Sequence, residues 1–145
     1  GYLLTMHCDV DQENSTRHIW QTLNDIGVDR IDHGVNALED EAFCAEIKRR
    51  NLALTVCPIS NGYVTDGLKA AEIRTMLEKG MRVTVNSDDP AYFPGYMTEN
   101  LIAVQKAADL SRRQITQLVI NAIEGSWLST RDKDQHLRKL KAYTA

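Results

Sequence analysis

Met81-Arg82-Val83-Thr84-Val85-Asn86-Ser87-Asp88-Asp89-Pro90 decides the reading of this chain, because a strand-like run ends abruptly in two adjacent carboxylates. Neighbouring carboxylates at a strand terminus repel each other and are awkward to solvate. They make sense if one binds a cation and the other a polar ligand. Asp-Pro is also an ordinary turn dipeptide, so the weight of the pair comes from its surroundings. Three further strand-like runs end in the same way. Leu3-Leu4-Thr5-Met6 ends at His7, Arg30-Ile31-Asp32 ends at His33, and Leu52-Ala53-Leu54-Thr55-Val56 ends at Cys57-Pro58-Ile59-Ser60-Asn61. Four successive strands that each end in polar chemistry define an active-site face.

Helical patterns fill the intervals. Ile19, Trp20, Leu23 and Ile26 recur at helical spacing, with Gly27 as the stop. Asn36-Ala37-Leu38-Glu39 reads as a capping box opening a helix that carries Ala42, Phe43, Cys44 and Ile47. That helix closes on Lys48-Arg49-Arg50, with Asn51 suited to a left-handed cap. A polar loop with Gly62 and Gly67 is expected before a helix with Ile73, Met76 and Leu77, stopped by Gly80. A helix from about Thr98 carries Leu101, Ile102 and Val104. Ser111-Arg112-Arg113-Gln114 is a second capping box, for a helix reaching Gly125, and a charged helix from about Thr130 to Ala142 follows.

Strand starts recur at roughly 22–30 residues, the length of a βα unit. The strands read as near-continuously apolar, as strands covered on both faces do. The expected class is therefore α/β: four βα units plus C-terminal helices, in an open doubly wound sheet or in part of a (β/α)8 barrel. No GxGxxG or GxxxxGKS follows a strand, which removes the main reason to prefer the nucleotide-binding sheet. A whole barrel needs about 250 residues, whereas this chain has 145. The reading is the C-terminal half of a barrel belonging to a longer protein, with residues 1–145 a portion of one domain.

Composition narrows the partners. The chain is 43% hydrophobic and 26% charged with a net charge of −3, which gives no reason to expect nucleic acid or an anionic membrane surface. No apolar run approaches the roughly 18 residues of a membrane helix. Cys8, Cys44 and Cys57 are odd in number and lack CxxC spacing, against a disulfide framework and a structural zinc knuckle, so a reducing cytoplasm is the expected compartment. Cys44 lies in a helical apolar stripe and reads as core. Lys48-Arg49-Arg50 reads as a helix terminus, and His18 and His136 as solvated helix residues.

Each remaining motif carries a chemical reading beside a bland one. His7, ahead of Cys8-Asp9-Val10-Asp11-Gln12, reads as a metal ligand at a barrel mouth or as a loop histidine. Asp88 reads as a metal-binding catalytic residue and Asp89 as an acceptor for a substrate hydrogen bond. The alternative for the pair is a solvated turn. His33, before Gly34, reads as a general base or an anchor for a metal-held hydroxide. The alternative is a satisfied loop histidine. Cys57 has no adjacent basic partner to activate it, so its segment reads as a loop shaping the pocket.

Together, Met6-His7-Cys8-Asp9, Arg30-Ile31-Asp32-His33-Gly34-Val35, Cys57-Pro58-Ile59-Ser60-Asn61 and Asn86-Ser87-Asp88-Asp89-Pro90-Ala91 resemble the adenosine/adenine deaminase family of the amidohydrolase superfamily. They stand in family order and span most of the chain. The resemblance implies a (β/α)8 barrel with one zinc ion. His7 and Asp88 would be metal ligands, His33 the histidine that orients a metal-held hydroxide, and Asp89 the hydrogen-bond partner of the purine ring. The implied reaction is hydrolytic loss of the 6-amino group from a small-molecule purine. The zinc signature of the unrelated cytidine-type deaminases is absent.

Two departures follow. The family's His-Ala-Gly-Glu is His7-Cys8-Asp9-Val10 here, so Val10 stands where a glutamate protonates the ring. Asp9 or Asp11 becomes the candidate proton donor, with Glu13 more remote, and such a donor needs a raised pKa. The altered loop points to free adenine bases, including N6-substituted ones, before adenosine. The family's His-x-His at its first strand is also missing, leaving two of four expected ligands. The isolated chain is expected to be inactive, and to work with its N-terminal half-barrel or with a second copy of itself. Competing readings are adenosine deaminase proper, a non-catalytic purine-binding relative in which Val10 marks lost chemistry, and a generic doubly wound binding domain.

Overall fold

A computed structural model describes residues 1–8 and 10–145. Among the described residues, four strands form one parallel sheet in sequence order: β1 (Thr5–Cys8), β2 (Arg30–His33), β3 (Ala53–Val56) and β4 (Arg82–Val85). Register pairs His7 with Asp32 and Asp32 with Thr55, Cys8 with His33, and Val56 with Val85. All four C-terminal ends therefore open on the same side.

The helices between them are α1 (Ser15–Gln21), α2 (Glu41–Arg49), α3 (Pro58–Val64) and α4 (Ala70–Glu78), and α5 (Met97–Ala108), α6 (Arg112–Gly125) and α7 (Thr130–Thr144) follow β4. α1 runs into a π-helical turn, Thr22–Ile26, that closes on Gly27 at φ 74°. Ser111 caps α6, accepting from the Gln114 amide while Gln114 reaches back to the Ser111 amide at 2.9 Å, as its motif predicts. Asn51 takes the left-handed position after α2, at φ 56°. No helix among the described residues is long and apolar enough to cross a membrane.

The core sits on one face of the sheet. Ile31, Leu54 and Val83 are 0% exposed and join Ile19, Ile47, Ile73, Met76 and Val104 from the helices. Each such side chain contributes about 1.5–3 kcal/mol by leaving water. Cys44 belongs to this core, as expected. The other face is polar, which corrects the expectation of strands apolar throughout. There the Arg30 Nε donates to Asp32 Oδ1 at 3.2 Å and the Thr55 hydroxyl donates to the same oxygen at 2.7 Å. The Arg30 guanidinium lies 4.3 Å from the centre of the Trp127 ring. α6 comes very close to β3, since a Cβ on Gly125 would lie 2.7 Å from that of Ala53. Asn121 of the same helix donates to the Val83 carbonyl at 2.8 Å.

Three local expectations fail. β1 begins at Thr5, and Leu3 and Leu4 are exposed. The segment expected as a polar loop after β3 is instead α3, with Pro58 in its first turn. Asn36 caps nothing: it lies in a 3-10 turn, Val35–Glu39, and Asp40 caps α2 by accepting from Ala42. The Asn36 amide is spent on the Val10 carbonyl (3.2 Å) and the Ser15 hydroxyl (2.6 Å).

Candidate active site

The strand ends and the segments that follow them enclose a cavity of about 350 Å3 lined by His7, Val10, Asp11, His33, Asp88 and Asp89, with Ser60, Val64, Tyr92 and Phe93 completing the wall. Five of the six residues singled out from sequence as candidate site residues thus share one cavity. The sixth, Asp9, lies outside the described residues. A larger groove of about 700 Å3 at the opposite end of β4, between α4 and α6, holds none of them.

The site is built on two backbone reversals. His33 ends β2 at φ 59° and Asp88 follows β4 at φ 59°, a region costly for side chains other than glycine. His33 is buried, and its Nε2 lies 3.7 Å from Asp88 Oδ2, too far for a hydrogen bond. The His7 ring meets the His33 ring edge to face, with centroids 4.5 Å apart. Burial, then the neighbouring His7, lowers the pKa of His33. Asp88, Asn61 and Asp32 oppose that shift. His33 is therefore a neutral imidazole near pH 7, able to accept a proton.

Asp88 remains accessible, and its Oδ2 accepts a 2.6 Å hydrogen bond from the buried Ser60 hydroxyl. Ser60 reaches that oxygen because α3 starts immediately after β3, so the missed helix is what orients the carboxylate. Asn100, wholly buried on α5, accepts from the Ile59 amide at 3.0 Å and donates to the Gly95 and Tyr96 carbonyls, fixing α3 against the 90–96 loop. Neither Ser60 nor Asn100 carried a sequence signal beyond a strand-terminal position for the first. Asp89 Oδ1 accepts from the Ala91 amide at 3.0 Å, so it braces its own turn as well as lining the cavity. Glu13 does not line it, nor do His18 on α1 and His136 on α7.

Ligand atoms of His33, Cys57 and Asp88 all lie within 4.8 Å of one another. Carboxylate oxygen and imidazole nitrogen suit zinc, and with His7 at the His33 ring the donor set fits such an ion. Cys57 does not behave as a ready ligand. Burial first, then the charges of Asp88 and Asp32, push its thiol from 9.0 up to about 12. Iodoacetamide at pH 8 is expected to leave Cys57 unmodified in the folded protein and to alkylate it after denaturation, read by peptide mass. The thiol holds its proton in the folded state between 9.0 and about 12, where the unfolded thiol has lost it. The stability this contributes is intact below the lower value and is lost as pH rises through that window.

A parallel half-sheet with histidines and paired aspartates gathered at its strand ends forms a candidate active site, and comparison with known proteins gives the family. The family model for Adenosine deaminase matches residues 1–143. An uncharacterized deaminase of Schizosaccharomyces pombe is 45% identical over 146 residues, which cover 100% of this chain and 43% of that protein. An adenine deaminase of Marinomonas sp. is 44% identical over 147 residues, with the same coverages of 100% and 43%. The crystal structure of adenine deaminase from Arthrobacter aurescens superposes with a TM-score of 0.88 at 32% identity, over 97% of this chain and 43% of that one. The chain belongs to the adenosine deaminase family, and its fold is the C-terminal half of that family's (β/α)8 barrel. It spans 43% of the length of the curated relatives it matches.

Proposed function

We propose that the whole protein is a metal-dependent aminohydrolase acting on adenine or an N6-substituted adenine, with residues 1–145 the C-terminal portion of its single barrel domain. Water enters at C6, and hypoxanthine leaves with ammonia or the corresponding amine. The observation that carries this reading is the convergence of His7, His33, Asp88, Asp89 and Asp11 on one cavity at the strand ends. Adenine deaminases at 44% identity support the base as substrate.

His7 and Asp88 would hold one zinc ion, with two further ligands from the N-terminal half. Bound there, zinc lowers the pKa of water toward about 7. His33, neutral and buried, would accept a proton from the water that attacks the substrate in the cavity. Ser60 holds one oxygen of Asp88 and leaves the other for the metal. Asp89 accepts a hydrogen bond from the purine ring and sets its orientation. Asp11, which lines the cavity beside Val10, would return a proton to the ring. Asp9 is the second candidate for that step. β1 and β4 end the sheet, and the remaining strands of the barrel, or those of a second copy, would close both edges. Three buried free cysteines suit the cytoplasm.

Competition among adenine, N6-methyladenine and adenosine, followed as kcat/KM of the full-length protein, tests the substrate. The free bases are expected to exceed adenosine by at least about tenfold, which corresponds to about 1.4 kcal/mol of transition-state binding. Equal values would assign adenosine deaminase activity instead. Asp89→Ala is expected to raise KM for the bases about tenfold through loss of a charge-assisted hydrogen bond.

A further inference from the structure

Asn61 is the most conspicuous group the proposed chemistry leaves unused. It is 0% exposed, yet neither atom of its side-chain amide has a hydrogen-bond partner among the described residues, and neither does Nδ1 of the buried His33. Its backbone is fully engaged. The Asn61 amide donates to the Cys57 carbonyl at 2.9 Å, and its carbonyl accepts from the Thr65 amide and hydroxyl, each at 2.8 Å. Only the side chain is unspent. It lies beside the His33 ring, although no pair of atoms between them meets hydrogen-bond geometry. Buried amides without partners are rare and costly, and closing this gap satisfies two of the three unpaired atoms at once.

A neutral imidazole carries one hydrogen, and the partner of one nitrogen decides the state of the other. The Nε2 of His33 faces the carboxylate of Asp88 at 3.7 Å. That negative charge alone favours hydrogen on Nε2, the tautomer that cannot take a proton there. An acceptor at Nδ1 reverses the preference. We propose that Asn61 is a positioning residue for His33: its Oδ1 accepts the Nδ1–H of the ring and keeps the Nε2 lone pair directed at the cavity. The inference rests on the role of His33 given above.

The test is 15N NMR of histidine-labelled full-length protein, with steady-state kinetics on adenine beside it. Wild-type His33 is expected as the Nδ1–H tautomer. Asn61→Leu moves the population toward Nε2–H and lowers kcat on the order of ten- to a hundredfold, within the range of proton-transfer catalysis, with KM within about twofold and metal content unchanged. Asn61→Asp keeps an acceptor and restores the Nδ1–H tautomer. A wild-type Nε2–H tautomer, or an Asn61→Leu protein with its tautomer unchanged, overturns the proposal. If Asn61→Leu fails to fold, the wild-type tautomer and the Asn61→Asp protein decide. A protein that releases no ammonia from adenine defeats the functional reading and leaves the tautomer result standing.

Discussion

Asp88→Ala in the full-length protein is expected to lower kcat/KM for adenine by on the order of 10^3-fold or more, the scale seen when a metal ligand or a transition-state charge partner is removed. The carboxylate is the centre of the constellation. It faces Nε2 of His33 at 3.7 Å, accepts the Ser60 hydroxyl at 2.6 Å, and clusters with the ligand atoms of His33 and Cys57. It is also accessible, with its side chain 31% exposed, so little packing is lost with it. Folding stability should change by less than about 1 kcal/mol. Bound metal, measured by elemental analysis, should fall along with activity. A variant that retains its metal and more than a tenth of its activity would remove Asp88 from the role assigned to it.

Gly34→Val is expected to destabilise the full-length protein by about 2–4 kcal/mol, from a β-branched residue forced into the left-handed region and from overpacking. Gly34 follows His33 at φ 72°, and a Cβ there would lie 2.7 Å from Leu54 Cδ2 and 2.8 Å from Ile31 Cγ2. Both neighbours are wholly buried and have nowhere to move. The backbone that sets the His33 ring against His7 would shift with it, so activity should fall even where the protein stays folded. Thermal unfolding reads the first effect and kcat the second. A variant with an unchanged melting temperature and full activity would mean that the β2 terminus has slack, and that His33 is less tightly placed than its geometry indicates.

These two positions also show what was legible in the sequence. β2 was read at its observed bounds because Arg30-Ile31-Asp32-His33 is followed by a glycine that only a sharp backbone reversal requires. The Ser111 box was legible because capping is local, needing a hydroxyl and a glutamine three residues apart. Asn36 has the same spacing to Glu39, but long-range bonds to Val10 and Ser15 claim its amide. Pro58-Ile59-Ser60-Asn61-Gly62 is rich in turn-forming residues, and its helix carries a long-range bond, from the Ile59 amide to Asn100, that local sequence does not show. The partners of Ser60 and Asn61 therefore could not be read, because the helix that aims them was not. The polar face of the sheet was hidden for a related reason. Thr55 and Thr84 are good strand formers, and nothing local reveals that they face Asp32 and Asn86.

The positions that carry chemistry were more legible than their geometry. His7, His33, Asp88 and Asp89 stand out because each lies at, or within four residues after, the end of a strand-like run. What the sequence left open was where Asp11 stands relative to the cavity. Val10 packs against the core and its carbonyl is held by Asn36, so the loop presents the next residue, Asp11, along the cavity wall.

The central claim is that this cavity removes the 6-amino group of a purine base. Ammonia release from adenine by the zinc-loaded full-length protein, with hypoxanthine followed in parallel, tests it most directly. Equal amounts of the two products are expected, with none above background from Asp88→Ala. Adenine bound in the cavity with no ammonia released would contradict it, and Val10 would then mark a site that has kept its ligand and lost its chemistry.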